Sequence, residues 1–515
     1  MGINLVAVGN QAPGFYGLNL QQSSTVLDPQ WASEANNAVI TEDGRIGARK
    51  GYSIVNTAAD DDITTGTIRR LHEYIDSTGN SDMIACADNK IFKADSPYTD
   101  FTSIYSTSIT ADNWQVQNFN SKVYFFQDAQ APLEYNGTTV TTIAANASFV
   151  DSSDSVIATI KPNCVHAAFG RLWIGGSTTH GYGAKIWWSD SLAGHIYGSG
   201  TAGALDLHTV LTGGTDYVTA ISSFENWLVI FLKNSILIYD GAESDPANRL
   251  SLREHIRGIG CVARDSIQNI GTDLLFLSNT GVRSLMRVVT EDNSPIRDVS
   301  KNVRDSLSPF TNGETKTYIK SLYNAKEGFY LLSFPTFDKV FCFDLKGSLP
   351  DGSARVTTWD HITPTAMVSM TNQDIYIGKT NNVCFYSGYS DDTASYTFSY
   401  ATPWLDYGQE FNQKILKNFY LLSEAGHDSN VSISWAVDFR ETYSTAVRIS
   451  DSTLLSEYNI AKFGINEFGY GYAITTMQGP MSKAGKVVKF RISVPIEGIF
   501  NIKKYEIYAK IGRVI

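Results

Sequence analysis

Phe119-Asn120-Ser121-Lys122-Val123-Tyr124-Phe125-Phe126 is a short polar turn that runs into apolar residues, and the phrase recurs along most of the chain. It reads Ala87-Asp88-Asn89-Lys90-Ile91-Phe92 before that copy and Phe169-Gly170-Arg171-Leu172-Trp173-Ile174 after it. Later copies are Phe224-Glu225-Asn226-Trp227-Leu228-Val229-Ile230, Gly271-Thr272-Asp273-Leu274-Leu275-Phe276-Leu277 and Thr371-Asn372-Gln373-Asp374-Ile375-Tyr376-Ile377. Polar turns between short apolar runs are the signature of β-hairpins. The first apolar residues after the later turns are Val123, Leu172, Leu228, Leu274, Phe329 and Ile375, spaced roughly 45 to 56 residues apart. That period is near the ~40–50 residues of a propeller blade. A phrase repeated this often is architecture, so no single copy reads as a catalytic motif.

Working outward, up to seven hairpin groups follow one another: 67–104, 112–145, 162–200, 216–256, 261–300, 315–360 and 363–396. The reading is an all-β chain with a β-propeller over 59–400, seven blades first and six as runner-up because 59–112 is the weakest copy. Near-continuous apolar runs such as Leu228-Val229-Ile230-Phe231 fit strands buried on both faces between blades. The polar stretches 176–183, 189–215 and 287–314 read as loops on a rim. Beyond Pro403-Trp404-Leu405-Asp406-Tyr407-Gly408 the strands alternate polar and apolar, as in Val431-Ser432-Ile433-Ser434-Trp435-Ala436-Val437, and residues 401–515 read as a half-exposed β-sandwich. Residues 1–58 have no period and form an irregular N-terminal segment for assembly contacts. Within it Trp31–Ala38 reads as one or two helical turns and Asp43-Gly44 as a hairpin turn.

Length and composition narrow the class. A chain of 515 residues exceeds one ordinary domain, and 43% hydrophobic residues suffice for real cores. No run of ~18 apolar residues is present to span a bilayer. The start, Met1-Gly2-Ile3-Asn4, lacks the basic region of a signal peptide, and Val6 stands where a myristoylation signal needs Ser or Thr. Cys86, Cys164, Cys261, Cys342 and Cys384 fall about one per blade without CxxC spacing, which reads as buried thiols rather than zinc ligands. Net charge is −11; residues 410–515 carry 13 basic and 10 acidic side chains, leaving −14 on the first 409. Such a balance argues against tight DNA binding by charge neutralisation, though not against enclosing DNA.

The familiar catalytic patterns of propeller enzymes and hydrolases are not found in the sequence. The Asp-box repeats of sialidases are missing, and Ser294-Pro295-Ile296-Arg297-Asp298 is not one. Asp60-Asp61-Asp62 lacks the ligand alternation and closing Glu of a calcium loop and reads as a solvated turn. His72, His166, His180, His195, His208, His255, His361 and His427 form no HExxH or HxH pair. His166 reads as a core residue; His180, His195 and His208 share one insertion where a site has room to form. Gly-x-Ser-x-Gly and Walker loops are absent. Trp359-Asp360 and Gly175-Gly176 echo WD and kelch repeats once each, too seldom to count. Basic residues group as Arg45 with Arg49-Lys50, as Arg69-Arg70, and as Lys483, Lys486, Lys489, Arg491, Lys503 and Lys504, the last group offering a basic sandwich face or simply a solvated one. The reading is a non-enzyme with no catalytic, cofactor or metal residues.

Gly17-Leu18-Asn19-Leu20, Asn36-Asn37, Asp43-Gly44-Arg45-Ile46 and Arg49-Lys50-Gly51-Tyr52, followed by blades and a closing Tyr505-Glu506-Ile507-Tyr508-Ala509-Lys510-Ile511-Gly512 strand, resemble the tail nozzle or hub proteins of short-tailed bacteriophages. These are also called packaged-DNA stabilisation proteins. The resemblance covers the whole chain in layout. It implies a virion tail protein made in the host cytoplasm, six copies forming a ring below the portal and the head-to-tail adaptor. Double-stranded DNA would pass through that ring without sequence-specific binding, and tail fibre or needle proteins are further implied partners. Longer family members carry domains absent here, which leaves fibre docking open. The rival reading is a propeller that binds or cleaves glycan as a receptor-binding or depolymerase tail protein.

Overall fold

The computed structural model of the chain describes all residues except 1–4, 12–14, 59–60, 77, 108, 110, 129, 144–148, 151–155, 158–159, 179–180, 212–213, 215, 291–297, 426–429, 451–472 and 513–515. Seven antiparallel blades surround one axis. Their inner strands, in order, are Arg70–Ile75, Gln115–Phe119, Cys164–Ala168, Val218–Phe224, Gln268–Asn269, Lys320–Asn324 and Ala366–Ser369. The second strands are the apolar runs of the repeat. Trp227–Leu232 and Phe329–Phe334 are buried almost throughout because both faces meet a neighbouring blade. Each inter-blade gap holds its own apolar cluster. Ile84 and Cys86 meet Trp114 and Val123 between the first two blades, and Val229 and Phe231 meet Leu274 and Phe276 between the fourth and fifth. Met83 and Phe92 meet Ala366 and Tyr376 between first and seventh, so the ring is closed.

Turn chemistry explains the repeat. Asp88 with Asn89, Asn120 with Ser121 and Phe169 with Gly170 all have positive φ at both central positions, the mirror-image turn that matches strand twist. From Phe119 onward the phrase joins the first and second strands of a blade, whereas the copy at Ala87–Lys90 joins the second and third of the first blade. That slip explains why the first blade reads weakest in sequence, although it has four full strands. Among the described residues the fifth blade has three strands and is followed by helices Leu285–Thr290 and Arg304–Gly313.

The seventh blade takes its outer strand from the other end of the chain: Tyr52–Ile54 pairs with Val383–Tyr386. Upstream, Glu34–Asn36 lies between Ala354–Trp359 of the sixth blade and Tyr396–Ala401, making one nine-stranded sheet that runs from propeller into sandwich. The facing sheet receives Ala38–Ile40 and Ile46–Ala48, the hairpin expected around Asp43-Gly44, beside Phe500–Ile511. The helical turns expected over Trp31–Ala38 are strands instead. Asn36 registers against Thr358 and Ser399, so two open strand edges capture this backbone, a tertiary pull that a local reading misses. The N-terminal segment is therefore a set of short strands stitched into three sheets. Apart from the parallel pair Gly17–Leu18 and Trp31–Ala32, it pairs with strands of other regions or with its own hairpin.

Candidate functional site

Among the buried charge clusters, two stand at the centre of the architecture. The first is the joint between propeller and sandwich. Arg49, fully buried, forms a two-pronged ion pair with Asp391, Nη1 to Oδ1 at 2.8 Å and Nη2 to Oδ2 at 2.7 Å. Its Nε donates to Asn37 Oδ1 at 2.9 Å, its guanidinium stacks 4.0 Å from the Tyr396 ring, and the Tyr396 hydroxyl donates to the Arg49 carbonyl. Asn37 takes a left-handed φ of 52° and donates to Asp360 and to the Thr397 carbonyl. Gly51 is held against Ser390, where a Cβ would lie 2.0 Å from the backbone oxygen. Lys50 pairs with Glu327 at 2.5 Å. Planar bidentate pairing suits Arg and not Lys here.

The second is the propeller axis. A cavity of about 550 Å³ is lined by the inner strands, with Arg70, His72, Gln115, His166, Ser222, Gln268, Lys320 and Ser369 among its walls. Its floor is Asp265 ringed by cations. Lys320 Nζ lies 2.5 Å from it, Arg264 Nε 3.0 Å and Arg70 Nη1 3.8 Å. Arg264 also donates to the carbonyls and side chains of Asn113 and Asn163, tying the plug to the second and third blades. Beyond it lies a smaller hollow of about 130 Å³ that Arg264 and Asp265 also line. Burial alone would raise the Asp265 carboxyl, but Arg264, Lys320 and Arg70 override it and hold it well below the ordinary range. Burial pushes Lys320 down to about 8 against the pull of Asp265. His72 and His166 are lowered to about 4, chiefly by burial, and are neutral at pH 7. They hydrogen-bond Asn118 and Ser223.

The residues marked out by sequence disperse. His195 sits 3.4 Å from Glu134 and His208 2.8 Å from Asp206, each with its own carboxylate, while His180 and His427 lie outside the described residues. His255 is lowered by burial, and His361 lies 3.3 Å from Asp338. Asp61 and Asp62 accept from the Phe101 and Ser103 amides as loop anchors, with Asp60 outside the described residues. Ser294–Arg297 also lie outside them; Asp298 is buried between Arg283 and Arg304. Among the described residues no three His, Cys, Asp or Glu side chains gather as a metal site. All five cysteines are buried and free, their thiols pushed up by burial. No helix among the described residues is long and apolar enough to cross a membrane.

Of the two readings of the basic sandwich residues, the ion pairs fit dispersed, solvated positions rather than one basic face. Lys489 and Arg491 stand on one sheet, Lys503 and Lys504 on the other. Arg491 pairs with Glu34, Lys503 with Glu424 and Lys504 with Glu506, so the sequence cluster is not one cationic surface. Arg69 and Arg70 both line the axial cavity but differ in partner: Arg69 stacks 3.9 Å over Tyr318, and Arg70 reaches toward Asp265.

No family model and no curated relative matches the chain. Solved structures similar to it include a B. thetaiotaomicron extracellular domain assigned to a one-component system, at 12% identity and TM-score 0.43 over 85% of this chain and 60% of that one. YCF48 bound to a D1 peptide matches at 9% and 0.37, covering 66% and 99%, and the Neurospora crassa Pan2 WD40 domain at 8% and 0.36, covering 66% and 94%. The chain thus spans less than two thirds of the first of these. At such TM-scores the likenesses carry no functional weight; the seven blades rest on the strand pairing itself.

Proposed function

We propose that this chain is a structural subunit of a short-tailed bacteriophage tail, the nozzle or hub below portal and adaptor. Six copies would form a ring that retains packaged DNA and conducts it at ejection, and no catalytic step belongs to this reading. The observation that carries it is the joint. Asn36-Asn37 and Arg49-Lys50-Gly51-Tyr52, which bear the family resemblance, converge on one buried network that welds propeller to sandwich. A channel wall under pressure needs such rigidity between its domains, whereas a loop-borne enzyme site does not. The acidic balance of the first 409 residues supports a lumen that repels phosphate and so avoids drag on moving DNA. DNA would run between subunits, because the propeller's own axis is crossed by the Arg264–Asp265 plug.

The test is electron microscopy of particles assembled without this protein, scored for DNA content and tail length. Heads that fill and then leak, on a truncated tail, are expected. Full, stable particles with complete tails that fail to adsorb would overturn the reading and favour glycan binding.

A further inference from the structure

The charges on the propeller axis do not balance. Arg70, Arg264 and Lys320 face one carboxylate, Asp265, leaving an excess of two positive charges, and Arg69, stacked on Tyr318, stands on the same cavity wall. The other carboxylate on the cavity wall, Glu73, is occupied elsewhere: it accepts from Ser81 and from the amide and hydroxyl of Thr371. His72 hydrogen-bonds Asn118, and Gln268 is committed to Ser321. Buried charge without a counter-charge is costly, and proteins resolve it by pairing or by binding an ion.

The three cations are not equally engaged. Arg264 and Lys320 bond Asp265 directly, but Arg70 stands 3.8 Å off, beyond hydrogen-bond range. Its Nε is buried with no hydrogen-bond partner, and its side chain keeps 24% exposure on the cavity wall. A partly exposed guanidinium that makes no hydrogen bond to Asp265, a second and third cation beside it and about 550 Å³ of room together describe a receptor for an oxyanion.

We propose that the axial cavity binds a small phosphoryl dianion, with Arg70 as its main contact and Lys320 and Arg264 as the supporting charges. A phosphate or phosphate monoester carries about −1.5 to −2 at pH 7, which matches the excess. A dicarboxylate spreads its two charges apart, whereas Arg70, Lys320 and Arg264 all converge on Asp265. Free phosphate and a monoester share this chemistry. The proposal is independent of the tail reading.

Calorimetric titration of the full chain at low ionic strength tests it, using inorganic phosphate, glycerol phosphate, succinate and chloride. One saturable site per chain is expected for a phosphoryl ligand, weakened tenfold or more by Arg70→Met and unchanged by Lys503→Gln on the sandwich. Tighter glycerol phosphate than phosphate marks a monoester as the ligand; the reverse order marks the free ion. Ser369→Phe, which puts bulk into the hollow from the neighbouring seventh blade and leaves every charge in place, is expected to abolish binding and serves if Arg70→Met does not fold. No saturable site, succinate binding as tight as phosphate, or undiminished binding in these variants overturns the proposal.

Discussion

The joint and the axis both bury arginine, and they bury it differently. At the joint one guanidinium meets one carboxylate face to face, and every remaining donor finds Asn37, a backbone carbonyl or an aromatic ring. On the axis three cations share Asp265, one of them out of bonding range. A saturated network resists change and holds domains in place. An unsaturated one keeps a free valence and room beside it. The contrast separates a weld from a receptor.

The sharpest way to break the contrast is to remove the single carboxylate. Asp265→Asn leaves three cations facing one another, and removing one partner from a buried pair typically costs ~3–5 kcal/mol. The upper end of that range is expected by denaturant unfolding, since three charges lose their partner at once. Added phosphate should restore part of the loss in this variant; an equal stabilisation by chloride would count against a receptor. Arg49→Met comes next, also within ~3–5 kcal/mol, because Asp391 stays buried without its partner. Phosphate should restore nothing here. Adding Asp391→Asn to Arg49→Met should recover part of the loss, and a cycle with no coupling would show that the joint is not one network.

Both networks were invisible in sequence for the same reason. The blades were legible because second strands such as Leu228–Phe231 are apolar at every position and their turns carry Asn, Asp or Gly. Those signals are local. Arg49 stands out in sequence in a basic cluster and in the Arg49-Lys50-Gly51-Tyr52 phrase, but its pairing does not, since Asp391, Tyr396 and Asn37 reach it across strand edges that no window spans. The axial plug draws single residues from the linkers and inner strands of several blades: Arg70, which sequence shows only as half of a basic pair, and Asn113, Asn163, Arg264 and Lys320, each unremarkable where it stands. His166, read as core, is instead half-buried on the wall of the axial cavity.

Lys320 offers a graded test by pH. Its folded pKa of about 8 lies below the ordinary 10.5, so between these values the unfolded chain holds the proton more tightly than the native one. Stability contributed by this group therefore rises across pH 8 to 10.5, by at most about 3 kcal/mol at ~1.4 kcal/mol per unit. The groups facing it are Asp265, which stays ionised, and the guanidiniums of Arg264 and Arg70. The five buried thiols act oppositely above pH 9, because the unfolded chain loses their protons first. Wild type must therefore be compared with Lys320→Met, which shares the thiols. A rising difference in stability across this window is expected, and a flat one would place Lys320 outside the charge cluster.

The smallest effect should come from Arg70→Met, and its smallness is the point. Arg49 and Arg70 are both arginines beside a buried aspartate, so a simple count of ion pairs gives them equal weight. Arg70, however, donates no hydrogen bond to Asp265, and burial lowers its pKa because solvation lost outweighs attraction gained. Methionine keeps much of the aliphatic stem and removes one of the two excess charges, while Lys320 and Arg264 still neutralise Asp265. In phosphate-free buffer the change in unfolding free energy should stay within ~1 kcal/mol of zero. In phosphate the wild type should gain stability that the variant largely lacks, since a ligand bound only by the native state stabilises it in proportion to the logarithm of saturation. A loss near that of Arg49→Met in both buffers would instead make Arg70 a structural pair and erase the distinction between axis and joint.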